Sequence, residues 1–136
     1  MAALAGALVA FAGYGGGVAS DAEAACGQVF NAKTDFGARG DGVADDTDEL
    51  QRALGAAAGT GPDCLETVLL PAGTYNVNQP LRMNSYSVLD GAGMGTTTIM
   101  TKPFGSNGDS AGALLKLIGI KGATVQELHI DGNNSG

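Results

Sequence analysis

From Pro62 onward the chain is interrupted every few residues by Gly, Pro, Asn or Asp, which leaves little room for a second helix of ordinary length. The pieces between these interruptions are short and β-forming: Thr67-Val68-Leu69-Leu70, Thr74-Tyr75-Asn76-Val77, Ser87-Val88-Leu89, Thr97-Thr98-Ile99-Met100, Leu114 to Ile118, and Thr124 to Ile130. Glycine contributes 23 of 136 residues, but without a G-X-Y period, so collagen is excluded and frequent turning is implied. Many short strands with no second helix fit a sandwich or a solenoid. The last segment favours the solenoid. Val125 is out of phase with Leu128 and Ile130, so the chain must bend near Gln126-Glu127. A solenoid coil has such corners and a flat hairpin strand does not.

One helix precedes the series. Leu50, Ala53, Leu54 and Ala57 recur at i, i+3, i+4 and i+7, which makes one narrow apolar stripe. Asp46 reads as its N-cap, with Glu49 three residues on as in a capping box, and Asp45, Asp48 and Glu49 place negative charge at the positive end of the dipole. Gly59, Gly61 and Pro62 stop it, so a helix is expected over 45–58. Ahead of it, Phe30 to Gly42 reads as a strand followed by turns at Gly37, Gly40 and Gly42. The expected core is Val68, Leu70, Val88, Ile99, Leu115, Leu117, Leu128 and Ile130.

Acidic side chains outnumber basic ones 14 to 7, a net charge of −7. With no basic cluster, nucleic acid is not expected as a partner, because phosphate backbones are bound mainly by Lys and Arg. Residues 1–20 carry no charge; Leu4, Leu8, Val9 and Phe11 sit in an Ala/Gly background, and Ala22-Glu23-Ala24 is a small-x-small pattern. Residues 1–24 therefore read as a signal peptide cleaved before Ala25, although the usual basic n-region is missing. The run is too weakly hydrophobic to span a bilayer and Asp21 follows at once, so no stable membrane insertion is expected after processing. The expected location is secreted, extracellular. In that setting Cys26 and Cys64 either pair, closing one long loop, or stand as two unrelated thiols.

The run Asp35-Phe36-Gly37-Ala38-Arg39-Gly40-Asp41-Gly42-Val43-Ala44-Asp45-Asp46-Thr47 resembles the opening signature of the pectate-lyase-like superfamily. Three further pieces follow in that superfamily's order. Glu49 to Leu54 resembles its capping helix. Thr67 to Tyr75 resembles the V-x-x-P-x-G-x-Y step into the first coil. Val88 to Gly93 and Leu128 to Asn133 resemble successive coil corners. Gly91 to Gly95 and Asp131 to Asn134 are most similar to bacterial mannuronan C5-epimerases and to the rhamnogalacturonase/epimerase-like group. The resemblance implies an all-β solenoid: the N-terminal part of a right-handed parallel β-helix, capped by one short α-helix. Residues 25–136 would then be the cap and first coils of a truncated domain, partnered by the remaining C-terminal coils of the same β-helix.

It also implies an enzyme that acts on acidic, uronate-containing polysaccharide, such as pectin or alginate, by lyase, epimerase or hydrolase chemistry. The competing class is a non-catalytic β-helix scaffold of the tail-spike or adhesin type, since fold does not fix function. Lyase and epimerase chemistry needs a cation or amide clamp on the carboxylate plus a base and an acid; a hydrolase needs two carboxylates. Neither the epimerases' Asp-Pro-His-Glu run nor the polygalacturonases' Asn-Thr-Asp run occurs here. The catalytic residues are thus left unassigned, with His129 and Asp131 as candidates. His129, the single histidine, is expected to face outward between Glu127 and Asp131, which would raise its pKa. Arg82, Lys102, Lys116 and Lys121 are the candidate clamps. The acidic balance argues against holding a polyuronate unaided. No cofactor is evident. Calcium could bridge acidic protein and acidic sugar in the full-length protein, but Asp41, Asp45, Asp46, Asp48 and Glu49 lack EF-hand spacing and are read as helix capping.

Overall fold

The structure is a computed structural model that describes residues 26–101 and 114–132. The leader and Lys102 lie outside the described residues. In chain order the elements are β1 (Val29–Asn31), β2 (Asp41–Asp45), α1 (Thr47–Ala56), β3 (Glu66–Leu70), β4 (Gly73–Val77), β5 (Leu81–Arg82), β6 (Ser87–Gly91), β7 (Thr97–Thr101), β8 (Leu115–Lys116), β9 (Thr124–Gln126) and β10 (His129–Asp131).

These strands form three sheets, ordered β9-β6-β3-β1, β10-β7-β4-β2, and β5-β8. Every strand pairing in them is parallel. Each turn of chain adds one strand to each side in succession, so the sheets stack as the rungs of a parallel β-helix. The first turn differs on its third side. There α1 packs against β5 and β1, in the place a strand would occupy. The Gln51 amide completes the substitution. Its Nε2 donates to the Arg82 carbonyl at 3.1 Å and its Oε1 accepts from the Arg82 N–H at 2.9 Å, so one side chain satisfies the edge of β5 as a neighbouring strand would. Asn84 Nδ2 donates to the Leu54 and Gly55 carbonyls at the helix's other end.

Register stacks like on like. Phe30, Val68, Leu89 and Val125 form one ladder, and Tyr75, Ile99 and Ile130 another. Leu50, Ala53, Leu54 and Ala57 are buried as the stripe requires. Val68, Leu70 and Ile99 are buried as expected, and Leu115 and Leu128 pack against the core half-buried. Three expectations fail. Val88 is not core: β6 buries Ser87, Leu89 and Gly91, the opposite parity, because pairing with Val68 selects Leu89. Leu117 is 46% exposed, since β8 ends at Lys116 before reaching it. Ile130 points into the ladder but is 42% exposed, because β10 is the outer strand of its sheet among the described residues.

The helix start also differs from the expected capping box. Helix α1 runs Thr47–Ala56, and Asp46 makes no side-chain cap bond. Asp46 is buried and accepts instead from the backbone N–H groups of Arg39 at 2.7 Å and Gly40 at 2.9 Å. Asp45 takes the cap role, accepting from the Thr47 N–H at 3.0 Å. Glu49 pairs with Arg52 at 3.5 Å rather than reaching back to the cap. The glycine-rich loop folds over the helix start, and its Arg39 and Gly40 N–H groups claim the nearest carboxylate in two charge-assisted bonds.

The step from β3 to β4 is a close backbone contact. The Thr74 N–H donates to the Gly40 carbonyl at 3.0 Å, and Tyr75 Oη donates to the Pro71 carbonyl at 2.6 Å. Burial first, and the charge of Asp46 second, push the Tyr75 phenol up from 10.0 to about 12. A raised folded pKa means that the stabilisation is complete below about pH 10 and is lost as pH rises through about 12. Titration of tyrosinate absorbance should show a component that ionises only near pH 12. That component should be missing from Tyr75→Phe, whose alkaline unfolding should begin at higher pH.

Cys26 and Cys64 are bonded, with Sγ–Sγ 2.07 Å and Cα–Cα 5.2 Å. Of the two alternatives open from sequence, pairing is the one realised.

Candidate functional site

The acidic run before the helix is spent on backbone. Asp41 accepts from the Ala44 N–H at 2.8 Å and the Val43 N–H at 2.9 Å, and these bonds, the Ala44 one foremost, hold its carboxyl below the usual carboxylate range. Asp45 bonds Thr47 Oγ1 and Asn78 Nδ2, and Asp46 holds Arg39 and Gly40 as above. The helix-capping reading therefore holds for Asp45, which bonds the Thr47 N–H, and for Asp48 and Glu49, which stand in the first turn at the positive end of the dipole, but not for Asp41 and Asp46. Among the described residues no three His, Cys, Asp or Glu side chains come together as a metal-ion site.

His129 and Asp131 lie two apart on β10, in register with Thr98 and Met100, so they share a face. His129 is exposed and Asp131 half-buried. Glu127 is not on that strand. It sits at the corner between β9 and β10 with φ 55°, the bend that the phase slip after Val125 implies. The expected Glu127–His129–Asp131 row thus reduces to His129 and Asp131.

The third side brings together two of the four candidate clamps. Arg82 and Lys116 are register partners on β5 and β8. They line a cavity of about 230 Å³ with Met83, Asn84, Ile118 and Ile120. Lys121 follows in the loop after β8, where its backbone N–H donates to Ser85 Oγ at 3.2 Å. The residues that sequence reasoning passed over here are Gln51 and Asn84, whose side chains fix this side to the helix. Their signal is a polar amide opposite a strand edge, visible only once α1 and β5 are known to be neighbours.

The sequence model of the family described as rhamnogalacturonase A/epimerase, pectate lyase-like matches residues 29–116, from β1 through β8. The chain belongs to this family. Mannuronan C5-epimerase AlgE5 of Azotobacter vinelandii is 39% identical over 113 residues, covering 76% of this chain and 11% of that protein. Among solved structures, the A-module of mannuronan C-5 epimerase AlgE6 from the same organism superposes with a TM-score of 0.58 at 33% identity, over 76% of this chain and 28% of that one. ORF18 of Geobacillus virus E2 superposes with a TM-score of 0.64 at 28% identity, over 78% and 21%. Within this pectate-lyase-like family, then, the chain spans about a tenth of the length of the epimerase relative. No helix among the described residues is long and apolar enough to cross a membrane.

Proposed function

We propose that this chain is the cap and first coils of a secreted enzyme that modifies acidic, uronate-containing polysaccharide, with epimerase or lyase chemistry completed on further coils. The observation that carries this reading is the 39% identity to a mannuronan C5-epimerase over 113 residues, which runs well beyond the common cap. The disulfide suits an oxidising compartment, in keeping with export. The chemistry has to clamp a uronate carboxylate, remove the C5 proton and return a proton elsewhere. Positive side chains for the clamp stand on the third side. His129 and Asp131 are the only acid–base candidates offered by the sequence reading, and they share one strand.

The test is turnover. The 136-residue chain, incubated with alginate, polygalacturonate and rhamnogalacturonan with and without calcium, is expected to give no unsaturated product, reducing ends or C5 inversion above a heat-treated control. The longer protein with further coils in place is expected to act on one of the three. Activity of the longer protein on none would refute the reading. In that protein, His129→Ala with unchanged turnover would remove His129 from the candidates. A second reading is a non-catalytic scaffold, favoured by the match to a viral protein at TM-score 0.64. It predicts no turnover at any length.

A further inference from the structure

We draw no further inference here: the strongest candidate, the cavity on the third side of the solenoid beside β5 and β8, belongs to the site already described, and its lining adds no ligand class to the acidic polysaccharide proposed above.

Discussion

Gly73→Ala should destabilise the fold by about 3 kcal/mol, lowering the thermal midpoint by more than about 10 °C. Gly73 has φ +152°, where side chains are rarely accommodated, and a Cβ there would stand 2.4 Å from the carbonyl oxygen of Gly40. That oxygen belongs to the backbone and cannot swing aside. Relief requires β4 to move from the loop ahead of β2, which stretches the 3.0 Å bond from Thr74 N–H to Gly40 O. Strained backbone costs about 1–3 kcal/mol and a weakened hydrogen bond about 1 more. Gly95 is the control. A Cβ there meets nothing within 4 Å, so Gly95→Ala should stay within about 0.5 kcal/mol of the parent. Thermal melts of the two variants side by side decide the matter. If they melt together, the close approach at Gly73 carries no weight in stability.

Removing the disulfide should cost a comparable amount through a different route. Cys26 and Cys64 are separated by 38 residues, and closing a loop of that size removes unfolded-state entropy worth about 4 kcal/mol. The loop encloses β1, β2 and α1, which is the whole first turn with its cap. Cys26→Ser/Cys64→Ser should therefore unfold at markedly lower urea concentration. Amide exchange should rise first in β1, β2 and α1, while β4 and β7 keep more of their protection. Identical urea midpoints for parent and double variant would show that the bond constrains nothing that folding does not already hold.

The two tests probe elements that differed in how readable they were. The Gly40 and Gly73 contact was half-legible: the glycines and Tyr75 stand out as a motif, but the pairing of one glycine's carbonyl with the other's missing Cβ is a contact between distant residues. Asp46 is similar. Its place before an apolar stripe identified a helix start correctly, yet its carboxylate turned to Arg39 and Gly40, because two charge-assisted bonds to backbone N–H groups outrank a cap that Asp45 can supply. Val88 and Leu89 are both apolar, so alternation alone could not say which faces inward.

What the sequence determined by itself was local: the apolar stripe of α1, the short strands, and the corner between Val125 and Leu128. Each follows from the period of side chains along one stretch of backbone. Only the tertiary structure decided that α1 replaces a strand, that Leu89 and not Val88 is buried, and that Arg82 faces Lys116 across β5 and β8. Those outcomes depend on the register between successive turns of chain. Register is set by how many residues each intervening corner and loop consumes, and no pattern within a single strand records that number.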